Sequence, residues 1–187
     1  MRKRTVSNRF PLDGWPSITE LGPLFSAKAW SRWEGDDEWV LRIEGLYGTD
    51  CLPEDSQVRA CLIITGTPDF GVMLHYSRWD GRTQRSLDCY SKGDMDRIRQ
   101  WLRTLQEDLR PIGLFIPYAQ AWTAVREFME RDGELPSGIE WIGGNELPPN
   151  TFRFPGFFNG PEPRVLTDED INDVAPRSLS EIAQRRN

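Results

Sequence analysis

A single imidazole, His75, limits the acid–base and metal chemistry open to this chain of 187 residues. Histidine titrates nearest neutrality and is the commonest metal ligand, so a catalytic constellation is built around His75 or does without it. Three cysteines, Cys51, Cys61 and Cys89, supply the other nucleophile and ligand type. Their odd number and the lack of a CxxC spacing give neither a disulfide framework nor a zinc site. They read as reduced thiols in or near a core. A Cys–His nucleophile pair could be assembled from Cys61 or Cys89 with His75 on neighbouring strands, but no signature marks it. No GxSxG elbow, P-loop or HExxH motif is present, and Gly143-Gly144 lacks the strand-then-helix setting of a phosphate loop. Carboxylate pairs such as Asp36-Asp37 and Asp168 with Asp170 are accounted for by turns and helix caps. No catalytic residue, metal or cofactor is expected, and a non-enzymatic protein is the reading these residues favour.

The elements that would position these side chains begin with four strands, over Trp39–Tyr47, Val58–Thr65, Phe70–Ser77 and Thr83–Tyr90. The first alternates Trp39, Leu41 and Ile43 against Val40, Arg42 and Glu44, as a half-buried strand should. Asp80-Gly81 between the third and fourth is a hairpin signal, because glycine accepts the positive φ of a tight turn. In the third strand His75 shares parity with Met73 and Ser77, opposite Phe70, Val72, Leu74 and Tyr76. If the latter set faces the core, His75 points to the other face. The apolar period then changes from two to about 3.6. Ile98, Trp101, Leu102, Leu105 and Leu109 predict a helix over Asp94–Leu109, with Ser91 and Asp94 in capping-box spacing. Tyr118, Ala121, Trp122, Val125, Phe128 and Met129 predict a second over Pro117–Arg131, opened by proline and closed by Gly133. A short strand follows over Ile139–Ile142.

The expected fold class is α+β: an antiparallel meander with two amphipathic helices packed on one face and an irregular C-terminal tail. Residues 1–16 read as a flexible basic arm, 17–145 as the single domain, and 146–187 as a proline-rich extension ending in a short helix capped at Thr167-Asp168-Glu169-Asp170. Ser26–Trp33 reads as a helical turn. Trp101, Trp122 and Trp141 lie on apolar stripes and are core candidates.

The formal net charge is −6, and four positive charges lie in residues 1–10, so the remainder sums to −10. An acidic body repels nucleic-acid phosphates and steers basic protein partners towards itself. Direct nucleic-acid binding is therefore not expected. The N-terminal Met1-Arg-Lys-Arg-Thr5 leads into no apolar run, and no stretch of about 18 apolar residues occurs, so neither export nor membrane spanning is expected and the cytoplasm is the expected compartment. Trp33 and Trp79 sit beside polar turns rather than on core stripes. Glu34, Asp36 and Asp37 near the first, and Trp79-Asp80 in the hairpin, form the candidate partner-binding surface: a hot-spot aromatic ringed by steering charge.

Over residues 70–142 the chain resembles the immunity proteins of bacterial polymorphic toxin systems, the group found beside deaminase and other nucleic-acid-attacking toxins. The residues that carry this are Gly71-Val-Met-Leu-His-Tyr76, Asp80-Gly81, Ile116-Pro117 leading into a helix with Ala121, Ala124-Val125 and Phe128, then Gly133, Leu135-Pro136 and Ile139-Glu140-Trp141. The resemblance implies an α+β protein that binds a cognate toxin domain and blocks its active site by protein contact. Two other classes stay open: an enzyme using a cysteine or His75, and a defence-system adaptor that binds some other protein.

Overall fold

In the computed structural model, residues 1–7, 10, 13–26, 38–103, 108–153 and 165–173 are described. Strand β1 (Arg2–Val6) leads to a one-turn helix α1 (Ile18–Leu21), which Ser17 and Glu20 cap reciprocally. Strands β2 (Glu38–Glu44), β3 (Val58–Thr67), β4 (Gly71–Asp80) and β5 (Arg85–Ser91) follow. Next come β6 (Gln100–Arg103), β7 (Leu109–Pro111), β8 (Phe115–Ile116), helix α2 (Tyr118–Glu130) and β9 (Trp141–Gly143). Strand β10 (Val165–Thr167) and helix α3 (Asp168–Asp173) complete the described chain.

The fold is α+β, and its antiparallel sheet runs β1-β2-β3-β4-β5-β9 in meander order, with β8 paired to β4 where β5 has left it. Ser91 closes the gap between β5 and β8. Its hydroxyl donates to the Leu114 carbonyl at 2.7 Å and accepts from the Leu74 amide at 2.9 Å, pairing a buried N–H that would otherwise be orphaned. The even-numbered residues Val72, Leu74 and Tyr76 face α2, where with Trp39, Leu41, Ile43, Leu62, Ala121, Val125 and Phe128 they form the main core. The alternation of β2 and β4 thus sorts side chains as the sequence predicts.

The helix expected over Asp94–Leu109 is not formed. Asp94 caps a single 3-10 turn at Met95–Arg97, and the chain then extends into β6 and β7, which form with β10 a separate three-stranded sheet ordered β10-β6-β7. Trp101 and Leu102 are both fully buried on opposite sides of β6, Leu102 against Met73, Ile112 and Leu114, and Trp101 against Leu109 and Leu166. A strand covered on both faces shows consecutive apolar residues, which at this length imitate a helical stripe. Only one of the two expected amphipathic helices therefore packs on the sheet.

Residues 1–16 also differ from the expected arm. β1 pairs with β2 in full register, the Lys3 ammonium lies 2.6 Å from Asp132, and the Trp15 indole packs at a tilt against Phe128 and donates to the Arg42 carbonyl. Arg-Lys-Arg-Thr carries no apolar alternation because β1 is an edge strand, where backbone pairing holds the chain and charges guard the rim. In the tail, β10 and the Thr167-capped α3 return to the body, so the ordered region extends past residue 145. The turn at Ser26–Trp33 lies outside the described residues beyond Ser26.

Glu127 ties α2 to the following loop. Its carboxylate accepts from the Ser137 and Gly138 amides at 2.8 and 2.9 Å, from the Ser137 hydroxyl and from Arg131. Burial pushes this carboxyl up, but the hydrogen bonds outweigh it and hold the pKa at about 2, below the ordinary 4.5. A depressed folded-state pKa stabilises fully above the unfolded value and is lost as pH falls through the folded one. Glu127→Gln should therefore cost about 2 kcal/mol at neutral pH and progressively less as the buffer is acidified below about pH 4. Urea midpoints of both proteins across that range decide it, and a penalty independent of pH would count against the clamp.

Candidate functional site

The sheet face opposite α2 is covered at one end by the three-stranded sheet and open at the other. At the open end the register lines up Glu44, Arg59, Trp79 and Ser86 across β2 to β5, and beside them Arg42, Cys61, Ser77 and Asp88. Trp79 is half-buried, and its indole N–H donates to the Asp55 carbonyl at 3.1 Å, which fixes the ring against the 3-10 turn at Glu54–Ser56. The hairpin places its left-handed residue at Gln84, with φ 53°, rather than at Gly81. Gly81 is needed for space: a Cβ there would lie 2.4 Å from the Ser56 backbone.

Asp80 does not act as free steering charge. Arg82 grips its carboxylate at 3.2 and 3.1 Å and donates its own amide at 3.0 Å, and these bonds hold the carboxyl below its ordinary range. Glu34, Asp36 and Asp37 lie outside the described residues. Their neighbour Glu38 is in register with Thr65 and Met73, whereas Trp79 shares its row with Glu44. Six steps along a strand separate those rows, about 20 Å at roughly 3.3 Å per residue. Glu38 therefore sits at the opposite end of the sheet from Trp79, bonded to Arg110 at 3.1 Å.

The surroundings of Trp79 are basic and aromatic instead. Arg42, Arg59 and Arg78 line the shallow cleft beside the ring, together with Ser77, Ser86 and Cys61. At the same hairpin end Tyr47 is half exposed, with Arg78 and Arg82 placed 5.1 and 5.6 Å from its ring centroid. Tyr47 holds a left-handed backbone, φ 55°, and its hydroxyl donates to Glu134; burial and that carboxylate push its phenol up. A non-glycine residue kept at positive φ costs about 1 kcal/mol or more and is held by its surroundings. The sequence carried a signal for part of this cluster, since Arg42, Arg59 and Trp79 all occupy the parity facing away from the core. Tyr47 follows Gly45-Leu46 in a loop whose conformation no periodicity reports.

His75 faces away from the α2 core, as its parity predicts. It stacks on Tyr90 at 4.4 Å and 12°, and Nε2 lies 3.0 Å from Asp88 Oδ1. Cys61 is on the same face, diagonal to His75, while Cys89 is buried on the α2 side and Cys51 is exposed. Burial pushes both the Cys61 and Cys89 thiols up, for Cys61 against the opposing pull of Arg42. Such thiols are protonated near neutrality, the reverse of an activated nucleophile. No group of three metal-binding side chains occurs among the described residues, and no described helix is long and apolar enough to cross a membrane. No protein-family model, curated protein or solved structure matches this chain.

Proposed function

We propose that this chain is a cytoplasmic immunity protein that binds a cognate toxin domain and blocks its active site by protein contact. The observation that carries the binding half of this reading is the composition of the hairpin end. Trp79 lies beside Arg42 and Arg59 on the face away from α2, and Tyr47 beside Arg78 and Arg82 at the same end of the sheet, each ring held by a hydrogen bond. Tryptophan, tyrosine and arginine dominate the few residues that carry most of an interface's energy, and rigid rings lose little freedom on binding. The toxin half rests on the resemblance of residues 70–142. The protonated state of the Cys61 and Cys89 thiols supports a binding protein over a cysteine nucleophile.

The test begins with the gene beside this one, whose product is expressed with and without this chain and scored for toxicity and complex formation. Wild type should protect the cell. Trp79→Ala should cost about 2 kcal/mol of affinity or more, appearing mainly as faster dissociation, while a folded His75→Ala variant still protects. Full loss of protection in His75→Ala with affinity unchanged would favour an enzyme instead.

A further inference from the structure

The cleft beside Trp79 has a volume of about 400 Å³ and is lined by Arg42, Arg59, Cys61, Ser77, Trp79 and Ser86, with no carboxylate among the described residues that line it. In a chain of net charge −6 this concentration of cations runs against the whole. Arg42 stands opposite Cys61 and Arg59 opposite Glu44, so the two arginines are diagonal neighbours on β2 and β3. Diagonal pairs lie about 7–8 Å apart at the backbone, which lets two long side chains converge on one anion. Among the described residues no carboxylate pairs with Arg42. Arg59 meets Glu54 only at 3.5 Å, and the Glu54 side chain is 83 % exposed. Glu54 therefore leaves most of the Arg59 guanidinium's hydrogen-bonding capacity unused.

We infer that this cleft receives a carboxylate side chain of the protein partner, gripped between Arg42 and Arg59 with Trp79 as its apolar wall; this rests on the protein-binding reading above. The planar guanidinium matches a carboxylate with two parallel hydrogen bonds, and the Ser77 and Ser86 hydroxyls add donors at the rim. The boundary of the site selects an acidic protein segment over a nucleic acid. Glu44 and Asp88 occupy the neighbouring positions of the same two cross-strand rows. A phosphate backbone tracked across the face would meet both carboxylates and the acidic body beyond. A single side chain entering between the two arginines meets only Glu44, the direct neighbour of Arg59, and neither Asp88 nor the acidic body. The polarity is thus opposite to the acidic docking surface expected from net charge.

The experiment titrates the full chain with two probes, a hexaglutamate peptide and an oligothymidylate of matched charge, following the Trp79 indole N–H by NMR. Hexaglutamate should shift that resonance and bind about tenfold more weakly to the Arg42→Gln/Arg59→Gln variant. Glu54→Gln should bind it more tightly, and Arg126→Gln, on α2, should match wild type. Tighter binding of the oligothymidylate would overturn the assignment in favour of nucleic acid. Absence of hexaglutamate binding, or an equal loss in Arg126→Gln, would overturn it outright. These results are independent of whether a toxin is neutralised: hexaglutamate binding without protection removes only the toxin reading, and protection without it removes only the carboxylate cleft.

Discussion

Phe128→Ala should lower stability by about 3–5 kcal/mol, the range for emptying a large buried aromatic site. Phe128 is completely buried at the centre of α2's inner face, edge-on to Tyr76 at 6.2 Å and against Trp15 at 5.3 Å. Its ring therefore joins three separate parts of the chain, and neighbours held in a sheet cannot collapse far into the void. Trp141→Ala, at the short edge strand β9, should lose less, because that ring is only partly buried, even though its hydrogen bond to the Pro136 carbonyl goes with it. Denaturant midpoints with unchanged slopes give both numbers. A loss below about 1 kcal/mol for Phe128→Ala would mean that α2 does not pack on the sheet as described.

Gly71→Ala should be comparably damaging, at about 3 kcal/mol or more, although it adds one methyl group and removes nothing. Gly71 opens β4 with φ 94°, a region that residues with a Cβ rarely enter. The added Cβ would stand 2.3 Å from the Ile116 carbonyl oxygen, which is backbone and cannot rotate aside. Relief requires β8 to part from β4, and with it the entry of α2. Loss of the near-ultraviolet aromatic signal at lower denaturant, with the main sheet's far-ultraviolet signal retained, would locate the damage there. A variant as stable as wild type would mean that β8 is not seated against β4.

The parts legible in the sequence are those in which one face is buried and the other is not. β2 and β4 announce themselves by alternation, α2 by a stripe opened at Pro117 and closed where the Gly133 amide meets the Phe128 carbonyl. β6 was illegible for the converse reason, since Trp101 and Leu102 are both buried and periodicity cannot separate such a strand from a helix. β1 lacks any apolar pattern and is recognisable only once β2 offers it a free edge. For the candidate surface, Trp79 was identifiable by its place beside a polar turn, but its charge environment was not. Net charge averages over the molecule, whereas Arg42 and Arg59 are brought together by strand register 17 positions apart in sequence. The same register sets Glu38 away from Trp79, a separation that no spacing in the chain discloses.

The two sheets differ in how far along the chain their partners lie. β2 to β5 pair in chain order, over connections no longer than Gly45–Gln57, whereas β6 pairs with β10, Trp101 meeting Leu166 across 65 positions. Non-local pairings of this kind form late, since loop closure must precede any compensating contact. During synthesis the meander and α2 can assemble while Trp101 and Leu102 still present an uncovered strand edge. That interval is when the nascent chain is most adhesive, and it ends only with the arrival of Val165–Thr167. The short β10 thus acts as a latch on the order of assembly: it adds only Val165–Thr167 to the smaller sheet but sets when the chain stops being a hazard to its neighbours.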